Sequence, residues 1–270
     1  YNLTSSIRDE PMLLRLPDGK EWAPANYDGN SHGDVTLLEA LAQSYNQATV
    51  HLGMNIGVNN LISRLSQLGI SAEVDPVPAV FLGAVDLTPL EVTQIYQSLA
   101  AGGFSVPLRS VIAVQTAEGG ELVRYPVRLR PQPRREAISV LNFAVTQVVE
   151  QGTAKALPGL LGSQLTVAGK TGTTNDRRDS WFVGYTRNRV AVAWVGEDDN
   201  RPARVTGSNA AMRIWAGLFR ELPLESVDLR MPDGAYWWWV DAESGKLTSA
   251  DCPGAVQLPF VEGSEPVETT

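Results

Sequence analysis

Cysteine is almost missing from this chain. Cys252 stands alone among 270 residues, so no intrachain disulfide can form. With His32 and His51 as the two histidines, a Cys/His zinc cage is excluded as well. No stretch approaches the run of roughly 18 apolar residues that a membrane-spanning helix needs. Basic residues are in the minority, with 22 Lys and Arg against 30 Asp and Glu. The resulting net charge of −8 argues against broad binding to nucleic acid or anionic membranes. Fixed-period repeats and Ser/Gly or Pro/Gln linkers are also lacking. What is there has an ordinary globular balance, 43% hydrophobic and 19% charged, which rules against wholesale disorder. The length suits one large domain or two small ones with a substantial core. The chain opens on Tyr1 with no basic-then-apolar leader, which sets the expectation of a piece of a longer or processed protein.

Punctuation along the chain is clear. Thr36-Leu37-Leu38-Glu39 has the pattern of a helix capping box, and Leu41, Ala42 and Tyr45 continue at helical spacing. Further helices are predicted from about Gln47 to Ile56 and from Val58 to Leu68, the second stopped by Gly69. Thr88-Pro89-Leu90-Glu91 combines an N-cap, a proline at N1 and a glutamate at N3. The helix it opens is expected to reach Ala101 and end at Gly102-Gly103. Ser110 to Arg130 reads as β structure turning at Glu118-Gly119-Gly120-Glu121. A helix over about Glu136 to Glu150 is closed by Gly152. Strands are expected at Gln164–Thr173, Ser180–Tyr185 and Arg189–Val195, the last two forming a hairpin across Thr186-Arg187-Asn188. A helix follows from Asn209 to Leu222, then a terminal hairpin pairing Tyr236–Asp241 with Lys246–Thr248. Past Cys252 the Pro- and Gly-rich tail is expected to fray. This order predicts an α/β or α+β domain.

Two short motifs carry chemistry. Lys170-Thr171-Gly172-Thr173 ends an apolar strand. On an edge strand the ammonium supplies positive potential, Thr171 and Thr173 offer hydroxyls to a carboxylate, and Gly172 lets a substrate backbone approach. The Thr173 N–H can donate to a developing oxyanion. Alone, the same four residues are equally an exposed turn. Ser44-Tyr45-Asn46 ends the helix opened by Thr36. There Ser44 can shuttle a proton and the Asn46 amide can hold a peptide carbonyl. The bland alternative is local backbone capping by both. Trp181 is read as a core residue, and His32 and His51 as structural or surface residues. Trp237-Trp238-Trp239 cannot all face one core, so at least one is exposed or packs on a partner.

In penicillin-recognising serine enzymes Ser-x-x-Lys, Ser-x-Asn and Lys-Thr-Gly occur in that order. Here the second and third stand in order at Ser44-Tyr45-Asn46 and Lys170-Thr171-Gly172. The surroundings agree over Ala40–Gly53, Leu82–Gly103, Val148–Leu157 with Glu150-Gln151-Gly152-Thr153, Ala168–Asn175, Asp179–Tyr185 and Leu258–Pro266. Over nearly its whole length the chain resembles the transpeptidase domain of class A, bifunctional penicillin-binding proteins of the Gram-negative type. The resemblance implies an antiparallel sheet with helices on both faces. It implies residues 1–225 as the transpeptidase domain, incomplete at its N-terminus, and 226–270 as a C-terminal hairpin and tail.

One departure is decisive. No serine has a lysine three residues on; Ser5-Ser6-Ile7-Arg8 comes nearest. The resemblance therefore places the nucleophilic serine upstream of Tyr1, with loss of the nucleophile as the alternative. The activity it implies is cross-linking of peptidoglycan stem peptides by acyl transfer at D-Ala-D-Ala, with β-lactam antibiotics acylating the same site. Ser44, Asn46 and Lys170 would be the catalytic residues here, and Thr153, Thr171, Gly172 and Thr173 the substrate-binding ones, with no metal or cofactor. This chain alone would be inactive. Implied partners are a glycosyltransferase domain in the same parent chain and a regulatory lipoprotein or divisome or elongasome proteins, with no nucleic acid. The implied location is the periplasmic side of the bacterial inner membrane. A serine β-lactamase and a non-catalytic penicillin-recognising module remain as competing readings. The first needs a carboxylate to activate a deacylating water, and no loop clearly supplies one.

Overall fold

The computed structural model describes every residue except Pro17, Pro133, Ser163 and Thr270. Short strands come first, and helices dominate its regular elements from residue 37 to residue 100. Strand β1 (Ser6–Asp9), a small ribbon of β2 (Leu14–Arg15) and β3 (Glu21–Trp22), and β4 (Gly33–Thr36) lead into α1 (Leu37–Gln43), α2 (Asn46–Ile56) and α3 (Val58–Gln67). The antiparallel pairing of β1 with β4 is absent from the sequence expectation, which has this region helical. Its inward face alternates Ile7 with the charged Asp9, so no apolar period announces a strand. Thr36 caps α1 by accepting from the Glu39 N–H at 3.1 Å. A full reciprocal capping box between Thr88 and Glu91 opens α4 (Pro89–Ala100), as its sequence requires.

Minor pairs follow: β5 (Phe104–Ser105) with β8 (Arg130–Pro131), and β6 (Ala113–Gln115) with β7 (Glu121–Arg124). The predicted β stretch is thus real but broken into short ribbons, and the turn between β6 and β7 places Gly119 at φ +85°. Helix α5 (Arg135–Glu150) buries Phe143, Val145, Val148 and Val149. The short α6 (Leu157–Leu161) has no counterpart in the sequence reading; Pro158 at its first turn and Gly162 at its exit confine it to five residues.

The central sheet is antiparallel, ordered β11–β10–β9, from β9 (Ala168–Thr173), β10 (Ser180–Tyr185) and β11 (Val190–Val195). The predicted hairpin joins the last two, with Tyr185 opposite Val190. Phe182 and Ala193 on one face pack with Trp215 and Phe219 of α7 (Ala211–Phe219) in the main core. Phe182 meets Trp215 edge-on at 5.4 Å between centroids. Helix α4 covers part of the sheet from the other side through Tyr96, which packs on Tyr185.

The structure extends the expected terminal hairpin. Lys246–Thr248 does run along Tyr236–Asp241, with Leu247 bridging Val240 antiparallel and the Thr248 N–H donating to the Trp239 carbonyl at 3.0 Å. The long partner of β12 (Ala235–Asp241), however, is β13 (Ala255–Val261). The tail past Cys252 therefore does not fray: Leu258 and Phe260 are buried with Leu3, Phe143 and Val240. Apolar burial outweighs the punctuation of Pro253 and Gly254. Trp237 and Trp238 keep 37% and 41% of their surface exposed, and Trp237 leans on Phe143, so the three tryptophans do divide between environments.

Candidate active site

Three segments meet at the outer edge of β9. The C-terminus of α1 ends at Ser44, held in the left-handed region at φ 61°. For a residue with a Cβ this backbone costs of order 1–3 kcal/mol, and it turns the Ser44 side chain out of the helix line. Lys170, on β9 opposite Val183, reaches back and donates from Nζ to Ser44 Oγ at 2.7 Å and to the Thr171 carbonyl at 3.1 Å. Two residues far apart in the chain thus form one pair. Burial lowers the Lys170 ammonium to about 8. Among the described residues no carboxylate pairs with it, so its proton is more readily given up than that of an exposed lysine.

Helix α5 ends against α1. The Thr153 N–H donates to the Ala42 carbonyl at 3.1 Å, and Gln43 Nε2 donates to the Gln151 carbonyl at 3.1 Å. Gly152 lies where a Cβ would sit 2.1 Å from Ala42 O, so only glycine allows this approach. Thr153 Oγ1 is then 2.6 Å from Thr171 Oγ1. One hydroxyl of that pair donates to the other, which leaves one O–H free to donate to an anion.

Thr173 Oγ1 accepts from the Gly207 N–H at 3.1 Å and keeps its own proton to donate. Its amide points away from β10: the Thr174 N–H bonds Asp179 O, and the alternation of antiparallel pairing turns the Thr173 N–H to the sheet edge. Asn46 opens α2 and donates from Nδ2 to the Ala25 carbonyl at 2.7 Å, leaving its Oδ1 and second N–H for other partners. The structure therefore gathers Ser44, Lys170, Thr171 and Thr153 through direct hydrogen bonds, with Gly172 and Thr173 next along β9, while Asn46 is tied to Ala25 and does not line the groove. Trp181 faces this region rather than the core, half-buried beside Gly172 and Trp194. It lines a groove of about 840 Å³ running between the β9 face and α4, with Val92, Ile95, Lys170 and Thr173 among its walls. Gly207 was not singled out from sequence; the turn-rich Thr206-Gly207-Ser208-Asn209 ahead of α7 is the signal that could have found it.

The arrangement is a half-buried lysine feeding a serine hydroxyl, beside an edge strand whose hydroxyls and amide suit a carboxylate and an oxyanion. Comparison with known proteins bears on what that geometry serves. A family model described as penicillin binding protein transpeptidase domain matches residues 5–219. Penicillin-binding protein 1B of Vibrio cholerae is 36% identical over 266 residues, covering 98% of this chain and 34% of that protein. The Escherichia coli protein of the same name is 35% identical over 270 residues, covering 98% of this chain and 31% of its own length. The chain thus spans about a third of the curated relatives it matches. In structure it is similar to penicillin-binding protein 1A of Haemophilus influenzae, with a TM-score of 0.88 at 23% identity over 100% of this chain and 46% of that one.

Proposed function

This chain belongs to the penicillin-binding protein transpeptidase family, and from that premise we propose that it carries the proton-transfer and substrate-holding part of a serine-type DD-transpeptidase. The observation that carries the reading is the 2.7 Å bond from Lys170 Nζ to Ser44 Oγ. In the reaction a serine attacks the carbonyl between two D-alanines of a peptidoglycan stem peptide. A C–O bond forms, the C–N bond breaks, and the departing D-alanine amine takes up a proton. Ser44 gives that proton and is resupplied by Lys170, and the proton that the attacking serine releases returns to the pair, so that none is gained or lost overall. Thr171, with Thr153 beside it, and Thr173 hold the terminal carboxylate of the substrate; Gly172 lets its backbone lie close to β9, and Asn46 orients its amide. The Thr173 N–H faces the oxyanion, where losing one such donor costs other enzymes about 10²–10³ in rate.

The nucleophile is not among these residues, since no Ser-x-x-Lys occurs in the 270. We assign it to another segment of the parent protein, which by its likeness to the class A relatives also carries a glycosyltransferase domain. The same likeness supports a periplasmic site on the inner membrane, regulatory lipoprotein, divisome or elongasome partners, and acylation by β-lactams. Residues 1–225 are read as the transpeptidase domain, lacking its nucleophile, and 226–270 as a C-terminal hairpin and tail.

The test is acylation of the parent protein by a fluorescent penicillin. Ser44→Ala and Lys170→Gln are each expected to slow acylation about 10²-fold, the low end of what general acid–base groups contribute. Label on the unaltered protein should persist for hours. Rapid clearance would favour a β-lactamase, and wild-type rates in both variants would remove the proton-transfer role.

A further inference from the structure

Helix α2 has no cap of its own. Tyr45 occupies its N-cap position and makes no side-chain cap bond. Capping comes instead from chain far away in sequence. Asn26 Oδ1 accepts from the Gln47 N–H at 3.1 Å, and Asp9 Oδ1 accepts from the Ala48 N–H at 3.0 Å. Asp9 is fully buried and Asn26 nearly so. The other Asp9 oxygen accepts from Asn26 Nδ2 at 2.6 Å and from the His32 N–H at 3.0 Å, and lies 2.7 Å from His32 Nδ1. A carboxylate held wholly out of water is tolerated only when its lone pairs are used in this way, and the amino end of a helix favours its charge.

The lock closes on the Ser44–Asn46 turn from both sides. The His32 ring stacks on Tyr45 with centroids 4.0 Å apart and planes 16° from parallel. His32 Nε2 faces Asp28 Oδ2 at 3.2 Å. Asn46 is tied to Ala25 in the same loop. The three residues of the turn thus sit between the Lys170 bond at Ser44 and this buried polar cluster.

We propose that Asp9 is a positioning residue for the Ser44–Lys170 pair, fixing the turn that presents Ser44 by capping α2 from β1, with His32 tying the cap to Tyr45. The proposal rests on the reading of Ser44 and Lys170 as the proton-transfer pair. Were α2 in need of capping alone, a Ser, Thr, Asp or Asn at position 45 would serve. The residue there is instead an aromatic one that the remote cluster grips.

Two variants and two readouts test it. Asp9→Asn keeps an acceptor for Ala48 but turns an amide NH2 toward the Asn26 Nδ2 and His32 N–H donors; His32→Gln leaves Asp9 in place and removes the ring that stacks on Tyr45. One readout is the titration of the Lys170 side chain by NMR in the 270-residue chain; the other is penicillin acylation of the parent protein. In Asp9→Asn the Lys170 titration should move up toward that of an exposed lysine. Acylation should fall about tenfold or more, the scale expected when a reacting group is displaced by less than an ångström or so. His32→Gln should change both in the same direction and by less. Wild-type values of both readouts in a folded Asp9→Asn, or a lowered melting temperature with neither readout moved, overturn the proposal. If Asp9→Asn does not fold, His32→Gln decides: a smaller change of both readouts in the same direction supports it, and no change overturns it. If the unaltered parent protein is not acylated, the transpeptidase reading fails, and the Lys170 titration still decides the positioning role.

Discussion

The proton on Lys170 is shared out by geometry: Nζ donates to Ser44 Oγ at 2.7 Å while burial lowers its pKa to about 8. Resupplying Ser44 requires the protonated form. Acylation should therefore hold level below that value and decline as pH rises through about 8, tracking the NMR titration of Lys170. A rate that climbs through pH 8 would make Lys170 a base instead. His32 gives a second sign. Both ring nitrogens face carboxylate oxygens, of Asp9 and Asp28, and only the imidazolium can donate at both. The hydrogen bond to Asp9 raises its pKa, with burial opposing and the Asp28 charge assisting. A raised folded-state value means stability that is fully present below about pH 6.5 and lost as pH climbs through the raised value. Melts of the unaltered chain and His32→Gln should differ more at pH 5.5 than at pH 8.5; an equal gap would show that the charge is idle. At this scale Lys170 and Ser44 were legible because a motif order singles them out. Asp9 was not, since its role comes from three partners that only the fold assembles.

Elements were readable where local chemistry dictates them. The Thr88–Glu91 box, the proline at position 89 and the short Thr186-Arg187-Asn188 turn between β10 and β11 each suffice without tertiary help. β13 was missed because its strand character depends on burying Leu258 and Phe260 against α5 and Leu3, which the turn-forming residues before it conceal. The joints between elements rest on glycine. A Cβ at Gly152 would meet Ala42 O at 2.1 Å and Val148 Cα at 2.9 Å, and one at Gly207 would meet Trp181 O at 2.6 Å. Backbone cannot yield as a flexible side chain can. Gly152→Ala should therefore cost at least about 1–3 kcal/mol, as overpacking does, read as a lower denaturation midpoint. It should also part Thr153 from Thr171, so that penicillin acylation of the parent falls with stability; a neutral Gly152→Ala would refute the tight docking of α5 on α1.

For the molecule as a whole, the boundary between 225 and 226 divides the sequence more than the structure. Val240, Leu258 and Phe260 of the hairpin share one buried cluster with Phe143 and Ala144 of α5 and with Leu3. Unfolding should be a single transition, and Phe260→Ala, emptying a site 1% exposed, should lower it by about 3–5 kcal/mol. A separate early transition for the hairpin would restore the two-part division. The same α5 carries Thr153 to Thr171 at its far end, so core and site are built on one element. What the 270 residues hold is the hydrogen-bonded Ser44–Lys170 pair and the edge of β9, without a Ser-x-x-Lys. Locating the penicilloyl adduct by mass spectrometry tests this division of labour most directly. The account predicts no adduct on the 270-residue chain alone and, in the parent protein, one adduct on the serine of a Ser-x-x-Lys outside these residues. An adduct on Ser44, or on any serine within the chain, would contradict it.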